Sequence, residues 1–409
     1  MDSNTYKTSD LIHSNVLEIG DGYRAKNSEL AEEGLPFARA GTINNGFNFL
    51  DADRFPCDRL EDVGGKVSQP GDVVFTSKGT VGRTAFVRCT TPRFVYSPQL
   101  CYWRSLDQNA IWPRFLYYWM KSYEFSSQVN GVKGQSDMAD YVSLTEQRRM
   151  YITLPSITVQ REVASILGLF DDKIELLRQQ NKTLEEIAQT IFKEWFVNFT
   201  VNGKKLKIDN STGLPEGWRW GTLGDEFKIV MGQSPKGRSY NESGDGMVFF
   251  QGRAEFQERF PKTRLFTTEA KRIAERFDVL VSVRAPVGDI NVASERCCIG
   301  RGLGAVRGKY KSYTLYKIKS LQGAFNIFES EGTVFGSIGK DAFANIETII
   351  PDNKIITTFN PIAGKVDAKI FTNYSQTQTL SHLRDLLLPK LMKGEIRVKD
   401  AEKTTEEVT

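Results

Sequence analysis

The stretch DVVFTSKGTVG, residues 72–82, returns 206 positions later as DVLVSVRAPVG, residues 278–288. A second set of matches follows: Pro155, Gly168, Asp171, Lys173, Ile174, Thr183 and Leu184 recur as Pro351, Gly364, Asp367, Lys369, Ile370, Thr379 and Leu380, all at an offset of 196. Nearer the start of each half, Gly34 and Phe37 match Gly246 and Phe249 at an offset of 212. The offset drifts in the first part of each half and is fixed in the second. Loops tolerate insertions, so each half reads as a variable globular part followed by a length-constrained one. Two copies are too few for a solenoid, in which three or more units normally stack. A two-copy molecule suits a target with two parts.

The constrained part is a long helix. Val163, Phe170, Leu177, Leu184 and Ile191 occupy one heptad position, and Leu167, Ile174, Asn181, Ala188 and Trp195 the other, with no proline and no glycine after Gly168. At about 1.5 Å per residue, residues 160–196 would span roughly 55 Å. An apolar seam of that length needs a partner, and the second half supplies one. Phe359, Ala363, Val366, Ile370, Leu380, Leu387 and Leu391 keep the same register, with Pro389 expected to end or kink the helix. The expected seam sets Phe170, Ile174, Leu177, Leu184 and Ile191 against Val366, Ile370, Leu380 and Leu387. Asn181, Asn373 and Thr377 are polar at seam positions. In an antiparallel pair they meet near the middle, where buried amides fix alignment at a cost in stability; the alternative is that they are solvated.

Residues 1–153 read as a mixed domain of short strands and loops, because alternating runs such as 72–87 and 96–103 are bounded by Gly, Pro, Asn and Ser. One helical patch, 112–120, interrupts them. Residues 154–199 form the first long helix, and 200–349 the second globular domain, entered through the polar connector 200–218. Residues 350–396 form the second helix, and 397–409 a charged tail that reads as disordered. The expected fold class is therefore α+β: two mixed α/β domains joined by two long antiparallel coiled-coil helices in a pseudo-two-fold internal repeat. The 409 residues, 40% apolar, are enough for two substantial cores. No run approaches the roughly 18 apolar residues of a membrane span, and the start MDSNTYKTSDLIH has no signal-peptide pattern, so no membrane is expected and a cytoplasmic location is the default. Cys57, Cys89, Cys101, Cys297 and Cys298 form no CxxC and read as reduced thiols. A net charge of +4 permits nucleic-acid binding without arguing for it.

Catalytic patterns are missing. The two histidines, His13 and His382, lie far apart and in no metal-ligand spacing, which removes HExxH zinc sites and makes a histidine-based triad improbable. GTVFGSIGKD, 332–341, fails as a phosphate loop: Val334 stands at the first glycine, and Asp341 replaces the hydroxyl residue. GRGLGAVR, 300–307, lacks the third glycine of a dinucleotide fingerprint and reads as a tight turn. FNPIAG, 359–364, the nearest string to an amino-methyltransferase NPPF, falls in the second helix and reads as its entry. PDNK, 351–354, resembles the start of a nuclease PD…ExK site, but no acid-x-lysine follows closely, and its first-half counterpart PSIT holds no carboxylate. No catalytic residue and no metal site is expected.

Basic and polar residues gather instead in the turns. In the first half Arg39, Lys78, Arg83, Arg88, Arg93, Lys133 and Gln135 interleave with Tyr96 and Tyr102. In the second, Gln233, Lys236, Arg238, Gln251, Arg253, Lys262, Arg264, Arg284 and Arg301 interleave with Tyr240 and Phe250. Arginine can bond a guanine edge bidentately, glutamine an adenine edge, and lysine neutralises phosphate. An ordinary solvated surface is the alternative. Lys78 and Arg284 hold equivalent places in the repeated turn and lead the candidates. The full set is Arg39, Lys78, Arg83, Lys133 and Gln135, with Lys236, Arg238, Gln251, Arg253, Arg284, Arg301 and Ser337.

With these strings in view the chain resembles specificity subunits of type I restriction-modification systems over nearly its whole length. The likeness rests on MGQSPKGRSYNESGDGMVFFQG from Met231, DVLVSVRAPVGDIN from Asp278, CIGRGLGAVR from Cys298 and GTVFGSI from Gly332. In the first half it rests on GDGYRAKNSEL from Gly20, LPFARAGTIN from Leu35 and YSPQLCYWR from Tyr96. LPSITVQREVASILGLFDDKIELLRQQN, from Leu154, is similar to the family's spacer-helix start, although Thr158 and Val159 depart from the usual proline-and-acid pattern. The resemblance implies a non-catalytic reader of double-stranded DNA. Each globular half would be a target-recognition domain at one half of a bipartite, asymmetric site, with the helices as a ruler. It further implies docking of two methyltransferase subunits that hold S-adenosylmethionine, joined by two restriction subunits that use ATP and Mg, with no cofactor in this chain. Two other classes stay open: a coiled-coil protein scaffold without DNA specificity, and a self-sufficient DNA methyltransferase or nuclease.

Overall fold

Two 40-residue helices, Ile157–Phe196 and Asn353–Met392, organise the protein in a computed structural model that describes residues 3–43, 46–132, 140–330 and 336–396. The tail 397–409 lies outside the described residues, as does the expectation attached to it. The chain divides into two units, Met1–Leu176 with Gln376–Thr409 and Leu177–Ser375, so that each unit takes one globular head and part of both helices.

In the first unit a four-stranded antiparallel sheet runs Leu17–Asp21, Leu100–Ser105, Val73–Thr76, Thr84–Phe86 in spatial order. Beside it lies a small sheet in which Leu35–Ala38 pairs antiparallel with Arg54–Phe55 and parallel with Val95–Tyr96. Ser3–Lys7 closes the head by pairing antiparallel with Tyr151–Pro155 immediately before the long helix. The second unit repeats each part. Lys228–Met231, Leu303–Arg307, Val279–Ser282 and Ile290–Val292 form the four-stranded sheet. Met247–Phe250 lies parallel to Cys297–Ile299 within the companion sheet, here of five strands, and Arg219–Thr222 pairs with Glu347–Ile350 before the second helix. The repeated stretch supplies the central strand of each sheet. Its apolar run is continuous because every residue of Val73–Thr76 and of Val279–Ser282 is buried.

The matched residues outside the strands have physical causes. Gly34 and Gly246 hold left-handed backbone, φ +129° and +89°, and a Cβ on either would strike a carbonyl oxygen, that of Phe55 or of Thr267. Asp72 and Asp278 are fully buried and receive the same kind of brace. Asp72 accepts from Arg104 Nε at 2.6 Å and Tyr96 Oη at 2.7 Å. Asp278 accepts from Arg307 Nε and Lys311 Nζ, both at 2.8 Å. Asp171 and Asp367 on the long helices each accept a tyrosine hydroxyl from the head, Tyr118 at 2.8 Å and Tyr316 at 2.7 Å.

Within the first unit Phe170, Ile174, Leu380 and Leu387 are buried, and Arg384 reaches Asp171 at 2.6 Å. Within the second, Leu177 and Ile370 are buried, while Leu184, Ile191 and Val366 are partly covered against the same core. The two helix segments of this unit run antiparallel: Asn373 Nδ2 donates to Asn181 Oδ1 at 2.9 Å, while Phe192, farther along the first helix, meets Phe359, nearer the start of the second, at 5.7 Å. Asn373 is fully buried and Asn181 half-buried, so the second helix's member of the amide pair is shielded from solvent.

Of the two outcomes expected for Pro389, it does not end its helix. The helix continues to Met392, and Lys393 N donates to Pro389 O at 3.1 Å. A proline removes one backbone donor, and buried Leu387, Leu388 and Leu391 hold the final turns in place. The true stop is Gly394, at φ +69°, with Glu395 N donating back to Lys390 O at 2.9 Å. FNPIAG lies well inside the helix rather than at its start, which is Asn353.

Candidate nucleic-acid interface

The repeated turn after each central strand is built by one hydroxyl and the backbone. Thr76 Oγ1 donates to Thr80 O at 2.5 Å and accepts from Arg83 N at 3.0 Å. Ser282 Oγ donates to Pro286 O at 2.8 Å and accepts from Asp289 N at 2.9 Å. Glycine closes each turn, Gly82 N on Thr76 O at 3.0 Å and Gly288 N on Ser282 O at 2.9 Å. Both glycines have positive φ. A single antiparallel bridge then fastens each turn to a later segment, Lys78 to Tyr141 and Arg284 to Ser337. Lys78, Arg284 and Ser337 are thereby held by main chain while their side chains are exposed.

Arg284 shares a cleft of about 800 Å³ in the second head with Gln251, Arg253 and Arg264. Carboxylates in the cleft orient two of the three arginines: Arg253 is paired with Asp289, and Arg264 NH2 lies 3.2 Å from Glu255, which is itself buried. A guanidinium held on one edge keeps its other donors pointed outward, which suits a planar acceptor such as a base edge. Gln257 and Asn291 also line the cleft; Asn291 Nδ2 donates to Gln257 O at 2.7 Å. Outside it, Lys236, Arg238 and Arg301 are exposed, Arg238 lies 3.9 Å from Glu269, and Arg301 N is fixed on Ser234 Oγ at 3.2 Å.

In the first head Arg39 is exposed and paired with Asp53 at 2.7 Å. Arg83 is exposed, with a 3.5 Å contact from its guanidinium to Ile43 O. Arg88 is drawn onto the helix residue Asp172 instead, and Arg93 borders a separate cleft of about 400 Å³ with Gln69 and Ser68. Lys133 and Gln135 lie outside the described residues.

The aromatic residues expected among these basic side chains are largely internal. Tyr96 is fully buried, its hydroxyl committed to Asp72, and it stacks on Tyr102 at 4.9 Å. Phe250 is buried in a strand. Tyr96, Tyr102 and Phe250 therefore offer no exposed stacking surface, whereas Tyr240 is half-buried. Sequence reasoning missed Asp53, Asp289 and Glu255, the acids that orient the arginines, because an acid next to a basic patch looks like simple charge cancellation. It also missed Arg259, whose partners are 74 and 108 residues away.

Comparison with known proteins decides the family. Residues 5–186 and 215–386 each match the Type I restriction modification DNA specificity domain, one match per repeat. The chain belongs to that family. Its relatives include a Methanocaldococcus jannaschii protein named for the MjaX type I restriction enzyme specificity subunit, 28% identical over 94% of this chain and 92% of that protein. The HindI specificity subunit of Haemophilus influenzae is 22% identical over 88% of this chain and 94% of its own length. The crystal structure of a type I restriction-modification S subunit from M. genitalium has the same fold, with a TM-score of 0.56 at 15% identity, covering 96% of both chains. This type I specificity subunit is thus the non-catalytic, DNA-recognition class of component. Among the described residues no helix is long and apolar enough to cross a membrane, and no cluster of three or more His, Cys, Asp or Glu is placed to hold a metal ion.

Proposed function

We propose that the two heads each read one half of a bipartite, asymmetric double-stranded DNA site. The observation that carries this reading is the repeated turn: the same hydroxyl-and-glycine frame presents Lys78 in one head and Arg284 in the other, amid different neighbours. One frame with different side chains fits two half-sites of different sequence. Arg253 and Arg264 beside Arg284 favour guanine edges in the second half-site, and Gln251 an adenine. Lys236, Arg238 and Arg301 serve phosphates.

The long helices set the gap between half-sites and dock two methyltransferase subunits, which hold S-adenosylmethionine and modify adenine. Two restriction subunits that use ATP and Mg join through those, in the cytoplasm. Mapping methylated adenines in a host that carries this chain and its methyltransferase partner tests the reading. A split motif with unlike halves is expected; a continuous motif, or none, overturns it. A scaffold without DNA specificity would show no sequence-dependent retention of DNA.

A further inference from the structure

The cleft of the second head does not end at its rim. Its lining loop, 252–262, is closed on itself by Glu255, which accepts from Gly252 N at 3.1 Å and whose carbonyl accepts from Lys262 N at 2.7 Å. One end of the loop carries Arg253 and Gln257 into the cleft. The other end carries Arg259 and Phe260 onto the long helices.

Arg259 is nine-tenths buried and grips two carboxylates at once: Glu185 of the first helix, and Asp367 of the second at 2.5 Å. Tyr316 Oη, itself donating to Asp367 at 2.7 Å, lies 3.4 Å from Arg259 NH1, and Lys319 completes the group on Glu185. Two cations and two anions balance. Burial works against ionisation of Glu185, but Arg259 and Lys319 outweigh it and hold that carboxyl below the ordinary range. Phe260 packs beside the group, 5.5 Å from Phe371 and 4.6 Å from Tyr374. The link back to the cleft is short. Val292 N donates to Arg259 O at 2.9 Å, the adjoining Asn291 is bonded to Gln257, and Asp289 in the preceding turn pairs with Arg253.

We propose that Arg259 is a positioning residue for base discrimination by the second head, fixing the cleft loop to both long helices through Glu185 and Asp367. This rests on the DNA-reading function proposed above. A buried guanidinium bridging two anions strongly favours one geometry over its neighbours, because losing either partner strands a charge away from water. The loop, and with it Arg253 and Gln257, is therefore aimed by the helices as well as by the sheet.

The test uses the full chain with its methyltransferase partner, and duplexes carrying the mapped site with one half or the other scrambled. The half read by the second head is the one whose discrimination falls in Arg284→Ala. Arg259→Met should lower the affinity ratio of cognate to scrambled DNA at that half about tenfold, within the range for residues acting through a neighbouring element, and leave the other half's ratio unchanged. Glu226→Gln alters another, half-buried carboxylate of the same unit, bonded to Tyr313 and not to the loop, and should leave both ratios as they are. Because a ratio does not depend on the fraction of active protein, general destabilisation does not mimic the effect. If Arg259→Met fails to fold, Arg259→Lys carries the test, since one ammonium cannot span both carboxylates as a guanidinium does. Unchanged ratios, or equal losses at both halves, overturn the proposal. A wild-type chain indifferent to scrambling either half overturns the DNA-reading function itself.

Discussion

Replacing the amide pair in the helix seam by leucine should show that one hydrogen bond specifies alignment at the expense of stability. Asn373 is fully buried, its Nδ2 is 2.9 Å from Asn181 Oδ1, and its own Oδ1 is buried without a partner. Asn181→Leu alone removes the acceptor and leaves Nδ2 only a 3.4 Å contact to Gln180. That exposes the penalty of a buried unmatched donor, about 1–3 kcal/mol. Asn181→Leu with Asn373→Leu removes donor, acceptor and the unpartnered oxygen together and extends the apolar seam. The double variant should then exceed wild type by about 1–3 kcal/mol. In a unit of this size each kcal/mol is about 2–4 °C in melting temperature. Urea titration of wild type, both single variants and the double gives the coupling directly as a double-mutant cycle. Strictly additive single effects would mean that the two amides are not coupled, and a double variant below wild type would mean that the pair stabilises the fold; either result would refute the argument.

Four further outcomes are expected. Asp72→Ala, which leaves buried Arg104 with only the longer 3.4 Å ion pair to Glu18, should cost about 3 kcal/mol by urea unfolding; a loss near zero would show that the brace is dispensable. Burial pulls the Lys317 ammonium down to about 8. Because an unfolded lysine titrates near ~10.4, the unfolded chain binds more protons between those two values, and this residue's contribution to stability rises with pH through that window. The difference in urea midpoint between wild type and Lys317→Met should accordingly shift in favour of wild type from pH 7.5 to 9.5, and a pH-independent difference would contradict the assignment. Arg284→Ala should weaken binding to the specific site at fixed salt while unfolding and partner assembly stay as in wild type; unchanged site affinity would remove Arg284 from the interface. Inserting one helical turn after Asn181, with a compensating turn in the second helix, should lengthen the gap in the methylated motif, and an unaltered gap would separate the helices from spacing.

The parts of the fold legible in the sequence were those where backbone or period left no choice. Gly34 and Gly246 recur because a carbonyl oxygen occupies the place of a Cβ. The heptads announced the helices because an apolar seam has a fixed repeat. Tertiary partnership was not legible. Tyr96 and Tyr102 looked like surface aromatics since a hydroxyl tip gives no sign of burial, whereas both are buried and their rings stack on each other. Pro389 looked like a terminator because local rules count its missing donor and not the leucines that pack around it. Arg259 stands in no motif at all. Its role exists only where a loop, the two long helices and the helix Lys311–Ser320, which carries Tyr316 and Lys319, converge, and no spacing along the chain encodes that meeting.

The frame that holds Lys78 and Arg284 uses a hydroxyl, glycine amides and main-chain carbonyls, none of which depends on the side chain displayed. The displayed position is therefore free to vary without refolding. A lineage under pressure to change its target can exchange single residues on a fixed mount, or exchange a whole head between its closing strand pairs, Ser3–Lys7 with Tyr151–Pro155 or Arg219–Thr222 with Glu347–Ile350. Novelty in such a molecule is a matter of substitution and grafting, and its architecture stays untouched.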